Sequence, residues 1–288
     1  HRDLHLSLRR QRQMCIRDSP TTQSALKTLQ SYGNVLIPSA FGELASGLVG
    51  MGRMAEPDEI VNTVENHILA GLPLYGKKIL ITAGPTYEAI DPVRFIGNYA
   101  SGKMGFELAK SAANKGAEVI LVSGPTHCKI DSNRVTTHAV FTAKEMYKVV
   151  HQHFSAVDAA ILSAAVADYR PKKTALSKIK KTSESLLLEL EKTEDILASL
   201  GAVKAHQFLV GFALETDDEI ANAIKKLKSK NLDLIVLNSL KDFGAGFGVP
   251  TNKITIIDKD LNQTKHPLKT KAEVADDILE ELIKRTHG

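Results

Sequence analysis

The sequence is poor in cysteine, tryptophan and long apolar runs, and each shortage argues against a class of protein. The two cysteines, Cys15 and Cys128, cannot build a disulfide framework and lack the spacing of metal ligands. Tryptophan is absent and aromatic residues make up only 5%, so base-stacking surfaces for nucleic acid are not expected. No apolar run approaches the roughly 18 residues of a membrane span, and none follows the basic N-terminus as in a secretory signal. We therefore expect a cytoplasmic protein with no membrane or nucleic-acid partner.

The remaining composition is that of a globular protein with an anionic ligand. The chain has 288 residues, 43% of them hydrophobic and 24% charged, with a formal net charge of +4. This mild positive charge is spread over several segments and suits a small anionic substrate. Residues 1–19 are rich in arginine without helical or strand periodicity, and we expect them to be non-native or disordered. Residues 20–74 contain too little chain for an independent core.

From residue 75 onwards, short apolar runs alternate with amphipathic segments. Alternation of this kind predicts an α/β fold, with a three-layer, Rossmann-like, doubly wound and mostly parallel sheet. The helix at 217–230 is rich in lysine, and a last amphipathic helix is predicted from Lys271 to about Arg285. The predicted strands are 78–82, 118–123, 135–140, 159–163, 207–213 and 234–237, followed by a hairpin near 253–258.

Open α/β sheets bind ligands beyond the carboxyl ends of their strands, so the polar residues after each strand are site candidates. After the first strand comes a long loop with Arg94, Asn98, Ser101 and Lys103, which leads into a helix start that can bind an anion. Gly97 to Lys103 also has the spacing of a P-loop. However, Met104 stands where a P-loop has serine or threonine, which disfavours a P-loop NTPase. A merely solvated loop is the alternative.

Three further places follow later strands. Asp168 lies a few residues beyond a strand, either as a ligand contact or as a turn residue before a proline. The lysine-rich run from Lys172 to Lys181 indicates a surface flap or an ordinary solvated face. Lys226 and Lys230 lie one helical turn apart, where they can hold a polyphosphate or simply face water. Asn238 ends a further strand.

Five segments, in this order, closely resemble the motifs of phosphopantothenoylcysteine synthetase. The resemblance extends from about Gly76 to the C-terminus. An upstream glycine-rich unit, Gly42 to Ile60, resembles the last part of the flavin-dependent phosphopantothenoylcysteine decarboxylase, which bacteria commonly fuse ahead of the synthetase. We therefore expect residues 20–74 to be a decarboxylase remnant and residues 75–288 to be the synthetase domain. The five segments are Ile81–Gly105, Ala164–Pro171, Lys178–Lys181, Val210–Thr216 and Lys230–Asn238.

The resemblance implies a ligase of coenzyme A biosynthesis that works as a homodimer. Its substrates are CTP, 4′-phosphopantothenate and L-cysteine, with Mg²⁺ accompanying the nucleotide. CTP first converts the carboxylate to an acyl-cytidylate with release of pyrophosphate, and the cysteine amine then forms the amide with release of CMP. Eukaryotic relatives accept ATP, so an ATP-using enzyme remains an alternative. A nucleotide-binding module without turnover is the alternative from another class.

The resemblance also carries roles to individual positions. Asn98, Lys178 and Arg94 are the implied catalytic residues, with Lys178 in the first step and Asn98 orienting the intermediate. Asp168 is also a candidate contact for the metal. The implied substrate- and nucleotide-binding residues are Gly84, Ser101, Gly102, Lys103, Ala164, Ala165, Asp168, Phe212, Lys226, Lys230 and Asn238.

Three positions depart from the family pattern. Ala100 stands where the family usually has serine, which removes one hydroxyl that could contact phosphate. Glu194 replaces a common proline. Ser46 stands where many decarboxylases have a catalytic cysteine, so we expect no decarboxylation and no bound FMN.

Overall fold

The computed structural model describes residues 19–43, 49–180, 185–215, 217–239 and 248–286. It divides the chain into two compact units, residues 1–71 and residues 72–288. The expected non-native segment 1–19 lies outside the described residues except for Ser19, as do Lys181 and Ser46. Among the described residues, no helix is both long and apolar enough to cross a membrane.

Within its described residues, the first unit has two helices and one antiparallel pair of strands. Ser19 caps α1 by accepting a hydrogen bond from the backbone N–H of Thr22, and a proline follows it at the first helical position. Neither helix of this unit has a buried residue. The apolar run at 34–38, which suggests a strand, forms no strand. The elements are α1 (Pro20–Ser31), β1 (Ala40–Glu43), β2 (Val49–Arg53) and α2 (Pro57–Ala70).

The second unit is built on an eight-stranded sheet with the order β15-β14-β12-β11-β8-β3-β6-β7. Six neighbouring strands, from β7 to β12, are parallel, and β14 and β15 add an antiparallel edge. These strands are β3 (Lys78–Ala83), β6 (Glu118–Ser123), β7 (Val135–Ala139), β8 (Ala159–Leu162), β11 (Phe208–Glu215), β12 (Leu234–Ser239), β14 (Ile254–Asp258) and β15 (Gln263–Lys265).

Helices cover both faces of this sheet. On one face, Leu108 of α3 and Ile278 of α7 lie in one buried apolar cluster with the sheet. On the other face, a second cluster includes Met146 of α4, Leu200 of α5 and Leu227 of α6. The helices are α3 (Lys103–Asn114), α4 (Ala143–Phe154), α5 (Ile196–Val203), α6 (Glu219–Ser229) and α7 (Lys271–Thr286). The predicted three-layer, doubly wound α/β fold is therefore confirmed.

In the described part of the second unit, three two-stranded ribbons lie outside the main sheet, and none of them was predicted from the sequence. The ribbon β9–β10 matters most, because residues 172–189 connect its two strands. We call this connection the flap. The pairs are β4 (Tyr87–Ala89) with β5 (Phe95–Gly97), β9 (Tyr169–Pro171) with β10 (Leu190–Lys192), and β13 (Thr251–Asn252) with β16 (Lys269–Thr270).

Candidate functional site

The site lies where the connections from β3 and β8 leave the carboxyl ends of two neighbouring parallel strands. Beyond the strands, the two connections continue to pair. The backbone N–H of Ala165 donates to the Gly84 carbonyl at 2.9 Å, and the N–H of Thr86 donates to the Ala165 carbonyl at 3.3 Å. Side-chain hydroxyls add to this pairing, since Thr82 accepts from the N–H of Ala164 at 3.1 Å. The floor of the site is therefore a fixed backbone surface.

Two glycines allow this close approach. Gly84 has a φ of +76°, a left-handed conformation that favours glycine, and a Cβ there would lie 3.1 Å from the Gly124 carbonyl oxygen. Gly105, in the first turn of α3, packs directly on the strand ends. A Cβ at Gly105 would lie 2.5 Å from the Ala83 Cβ and 2.9 Å from the Ser163 Oγ. The small residues thus bring the start of α3 against the end of β3.

A larger cavity of about 500 Å³ opens above β8 and β11. Four of the predicted binding residues on this side line it, together with Asp168 from the connection after β8. Residues 192–197, which were not predicted from the sequence, line the same cavity. The predicted members are Ala164, Ala165, Asp168, Phe212 and Lys230, and the added ones include Lys192, Thr193, Glu194, Asp195, Ile196 and Leu197.

A smaller cavity of about 160 Å³ lies at the start of α3. Gly102 occupies the N-cap position with a φ of +82° and offers no side chain to cap the helix. The backbone N–H of Lys103 donates a long hydrogen bond of 3.5 Å to the Oγ of Ser101. Predicted residues that line this cavity are Gly84, Ser101, Gly102, Lys103, Ala164, Ala165, Phe212 and Asn238, and the sequence analysis missed Asn252 and Lys271.

The two cavities share a wall. Ala164, Ala165 and Phe212 line both of them. The alanines have small side chains, and Phe212 presents a half-buried ring from β11. Two ligands, one in each cavity, would therefore meet at these three residues.

Asn98 lies beside this shared wall on the exposed loop after β5. Its side-chain nitrogen donates to the backbone carbonyls of Ala165 at 3.0 Å and Val166 at 3.3 Å. Both amide hydrogens are engaged in this way, which orients the carboxamide and leaves its oxygen to face other partners. The carboxamide is thus held against the backbone of Ala165, a residue of the shared wall, although Asn98 itself lines neither cavity.

Arg94 and the flap are joined through a buried carboxylate. Asp91, 2% exposed, accepts hydrogen bonds from the backbone N–H groups of Val93 and Arg94 and from the Arg94 guanidinium. It also accepts from the N–H of Ile179 at 3.1 Å, while Arg94 donates to the Ile179 carbonyl at 3.0 Å. The Arg94 guanidinium holds the pKa of Asp91 well below its usual range, although burial opposes this.

This pair therefore fixes the flap residue next to Lys178. Lys178 itself is exposed and lines neither cavity. Within the described parts of the chain, the ammonium of Lys178 makes no ion pair. Arg94 likewise lines neither cavity, because its guanidinium is turned towards Asp91 and the flap.

The lysine pair of α6 is divided between two carboxylates. Lys226 pairs with Glu215 at 2.6 Å and lines neither cavity. Lys230 pairs with Asp195 at 2.8 Å and faces the larger cavity. Burial favours a raised pKa for Asp195, but hydrogen bonds from Lys230 and the Ala198 N–H outweigh it and lower the pKa. Asp195 also caps α5 through that N–H, a cap that Thr193-Glu-Asp in the sequence could have signalled.

The larger cavity fits a magnesium ion that is held chiefly by phosphate. Among the described residues, no three histidine, cysteine or acidic side chains are grouped as a metal site. Mg²⁺ needs few protein ligands, because it keeps several waters and is often bound through one or two carboxylates plus substrate phosphates. Asp168 is the lining carboxylate without an ion pair in the described structure, whereas Glu194 pairs with Arg170 at 3.8 Å and Asp195 with Lys230.

Comparison with known proteins identifies the domain. Residues 74–286 match the family described as DNA/pantothenate metabolism flavoprotein C-terminal domain. A solved structure, the C-terminal domain of coenzyme A biosynthesis bifunctional protein CoaBC, is 45% identical and superposes with a TM-score of 0.65. It covers 75% of this chain and 99% of its own.

Two curated relatives extend the similarity over most of the chain. One, named Cysteine/Cysteine sulfinic acid decarboxylase and from an unknown prokaryotic organism, is 54% identical over 273 residues, which is 93% of this chain and 76% of that protein. CoaBC of Bacillus subtilis (strain 168) is 45% identical over 267 residues, 92% of this chain and 66% of that protein. The chain thus spans about two thirds of the length of CoaBC.

The names of these relatives differ, one referring to a decarboxylase and the other to a bifunctional protein of coenzyme A biosynthesis. The family match at residues 74–286 includes all the residues that line the two cavities, and its description refers to pantothenate metabolism. The solved CoaBC domain also agrees with the second name. The chain belongs to the DNA/pantothenate metabolism flavoprotein C-terminal domain family, in the phosphopantothenoylcysteine synthetase part of the CoaBC proteins.

Proposed function

We propose that this chain is a phosphopantothenate–cysteine ligase that uses CTP and Mg²⁺. The observation that carries the proposal is the pair of cavities that meet at Ala164, Ala165 and Phe212. A ligase of this kind must bring a nucleotide and an anionic acceptor together at one point. Two adjoining cavities with cationic side chains on their walls meet that requirement.

The larger cavity suits the nucleotide. Its volume of about 500 Å³ is the greater of the two, and the Phe212 ring on its wall can pack against a base. Lys230 faces the cavity and can exchange its contact with Asp195 for phosphate oxygens. Lys226 lies one turn earlier on α6, where loss of its pairing with Glu215 would free a second ammonium for the triphosphate. Asp168 would contact the nucleotide or its metal ion, which would neutralise phosphate charge.

The smaller cavity suits the acceptor. Ser101, Gly102 and Lys103 surround the first turn of α3, where free backbone N–H groups attract an anion. With its phosphate at this end, 4′-phosphopantothenate would extend its carboxylate towards Asn98 and the shared wall. Gly84 has no side chain that would obstruct the acceptor along the floor of the site.

The first step joins two anions, so it depends on nearby cations. The acceptor carboxylate attacks the α-phosphate of CTP, a bond to pyrophosphate breaks, and an acyl-cytidylate forms. Lys178, placed on the flap beside the Asp91–Arg94 pair, would stabilise the negative charge that develops at the reacting phosphate. Closure of the flap would also keep water away from the acyl-cytidylate.

The second step replaces cytidylate by the cysteine amine. The amine attacks the acyl carbon, CMP leaves, and the amide remains. Asn98 is held by the carbonyls of Ala165 and Val166, so its carboxamide is pre-oriented beside the wall that the cavities share. It would orient the acyl group for this attack.

The active form is proposed to be a homodimer. The loop that holds Asn98 exposes large apolar side chains, with Tyr99 at 93%, Val93 at 60% and Phe95 at 51% exposure. A second copy of the chain on this loop would bury them next to the substrate site. No decarboxylase activity or FMN binding is proposed for residues 20–74.

The test is pyrophosphate release with CTP, Mg²⁺ and 4′-phosphopantothenate, with and without cysteine, and with ATP in parallel. CTP-selective release that requires phosphopantothenate, followed by amide formation on addition of cysteine, is the expected result. Equal rates of pyrophosphate release with ATP and CTP would mean that the enzyme uses either nucleotide. Absence of release with both, from folded protein that binds nucleotide, would favour the binding module instead.

A further inference from the structure

Glu88, the middle residue of β4, is a buried carboxylate that no step of the proposed reaction uses. It is only 4% exposed and lines neither cavity. Glutamate is rarely buried unless it is paired or hydrogen-bonded, because a carboxylate loses its hydration there. The contacts of Glu88 therefore indicate its role.

Glu88 binds the start of a helix from a different part of the chain. Its carboxylate accepts a hydrogen bond of 2.7 Å from the backbone N–H of Ala143, the first residue of α4. The N–H groups of a first helical turn have no partner within the helix, and the helix dipole favours a negative charge beside them. Glu88 and Ala143 are 55 positions apart in the sequence, so the contact joins two segments that are distant along the chain.

The helix already has a cap of its own. Thr142 accepts from the N–H of Glu145 at 3.1 Å, and the Glu145 carboxylate accepts from the N–H of Thr142 in return. This capping box is formed by residues at the helix start alone. The bond from Ala143 to Glu88 therefore attaches the ribbon β4–β5 to a helix start that is capped without it.

The ribbon β4–β5 carries Asn98 and the two residues that bind the flap. Its strands have three residues each, and a two-stranded ribbon is marginally stable without further packing. Asn98 follows directly after β5, and the turn between the strands contains Asp91 and Arg94, which bind Ile179 of the flap. An attachment at Glu88 therefore determines the position of both groups.

A neighbouring contact supports the same attachment. The backbone N–H of Tyr87 donates to the Phe141 carbonyl, just before α4, at 2.8 Å. The Tyr87 ring stacks on Phe95 of β5, with ring centroids 3.9 Å apart. Of the two attachments to this helix start, the one at Glu88 is made by a side chain, so a substitution can remove it.

Arg170, on β9 at the base of the flap, is a second positive group near Glu88. The hydrogen bond to Glu191 raises the pKa of Arg170, and burial opposes this rise. The negative charge of Glu88 also raises that pKa, because the carboxylate and the guanidinium are neighbours. The helix start and the guanidinium together compensate the buried charge of Glu88.

We propose that Glu88 is a positioning residue for both steps of the reaction, because it attaches the ribbon β4–β5 to the start of α4. This inference rests on the proposed function, since Glu88 acts through Asn98 and through the residues that hold the flap. Glu88 lines neither cavity, so its loss should lower kcat and leave the KM for CTP nearly unchanged. Destabilisation of α4 alone should not produce this separation.

The experiment compares Glu88→Ala and Glu88→Gln with the parent chain and with Thr142→Ala. Thr142→Ala removes a cap within the same helix, so it is the control for a weakened α4. Amide formation is measured with CTP, 4′-phosphopantothenate and cysteine. We expect kcat to fall by about ten- to a hundredfold in Glu88→Ala, the range for a displaced reacting geometry, and by less than about twofold in Thr142→Ala. Glu88→Gln keeps an oxygen that can accept from Ala143 and should recover most of the rate.

Hydrogen–deuterium exchange separates failure of this inference from failure of the proposed function. Without substrates, Glu88→Ala should increase exchange at residues 87–98 and in the flap at residues 172–180, whereas Thr142→Ala should increase it only at the start of α4. Equal exchange and equal kcat in the two variants would overturn the inference while the ligase stands. If the parent chain releases no pyrophosphate, the ligase fails and the exchange comparison still tests the attachment.

The conservative variants test the hydrogen bond itself. A Glu88→Gln chain that is as slow as Glu88→Ala would contradict the role of the bond from Ala143. If Glu88→Ala does not fold, Glu88→Asp replaces it. Aspartate is one methylene shorter and should fall short of Ala143, so it should reproduce the loss of rate and the faster exchange against the same control.

Discussion

At the scale of single residues, the proposed mechanism assigns the first chemical step to Lys178 and the second to Asn98. Asn98 is held from the floor by two backbone carbonyls, whereas Lys178 approaches from the flap. One group is therefore fixed and the other depends on the position of a loop. Substitutions at these residues should stop the reaction at different stages.

Replacing Asn98 with aspartate should block the second step. The carboxylate cannot donate to the carbonyls of Ala165 and Val166, so it would turn away from them and bring a negative charge to the acyl group. We expect amide formation to fall by about a hundredfold or more, the range for loss of a pre-oriented polar group. Acyl-cytidylate should accumulate, as measured by mass spectrometry of quenched reactions.

Lys178→Ala is the matched comparison, since it should remove pyrophosphate release and leave no intermediate. Normal amide formation by Asn98→Asp would contradict the role of Asn98, and undiminished pyrophosphate release by Lys178→Ala would contradict that of Lys178.

At the scale of elements, hydrogen bonds attach the flap to the loop between β4 and β5, with the buried Asp91 at their centre. Asp91 and Arg94 bind both the N–H and the carbonyl of Ile179, and the N–H of Ala175 donates to the Ile90 carbonyl. The flap and the loop thus share one hydrogen-bond network. We therefore expect a substitution at Asp91 to change the position of Lys178 without altering the lining of either cavity.

Asp91→Asn should loosen the flap. The amide has one acceptor oxygen instead of two, and its NH₂ group faces the Arg94 guanidinium. We expect a lower Tm, faster proteolytic cleavage within residues 172–180 and slower pyrophosphate release, with the KM for CTP nearly unchanged. Asp131→Asn, an exposed loop aspartate, is the control. Unchanged proteolysis in Asp91→Asn would refute this attachment.

The pH dependence of this effect follows from the lowered pKa of Asp91. Because the folded-state pKa lies below the unfolded value of about 3.9, the stabilisation is fully present above that value and is lost as the pH falls through the folded-state pKa. The difference in Tm between the parent chain and Asp91→Asn should therefore stay constant from about pH 5 to pH 8 and shrink only in strong acid.

Much of this fold was predictable from local pattern. Strands β3, β6, β8, β11 and β12 are short apolar runs, and Thr142 with Glu145 forms the cap of α4 from nearby residues. The ribbon β9–β10 was not predictable. Its two strands lie on either side of the flap, and no local sequence pattern indicates that Arg170 and Glu191 form an ion pair. In the site, the residues after each strand could be predicted. Lys271 could not, because its burial results from the packing of α7 on α3.

At the scale of the whole molecule, the exposed apolar loop predicts self-association. Tyr99→Glu should convert the proposed dimer to a monomer, because it places a charge in the centre of the contact. We expect sedimentation velocity to give a smaller species, and activity per chain to fall with it. Val203→Glu replaces another exposed apolar residue, at the end of α5, and should leave the dimer intact. A parent chain that sediments as a monomer would remove the dimer from the proposal.

The packing of α7 on α3 has a consequence for how the protein is made. Val274, Ile278 and Leu282 belong to the same buried cluster as Leu108 and Ala112, although more than 150 residues separate the two helices. A ribosome that is still translating the middle of the domain has already released α3, with its apolar side uncovered. Its apolar side stays uncovered until α7 has been synthesised, and synthesis proceeds at about 5–20 residues per second. For that interval we expect the nascent chain to expose a surface that chaperones bind.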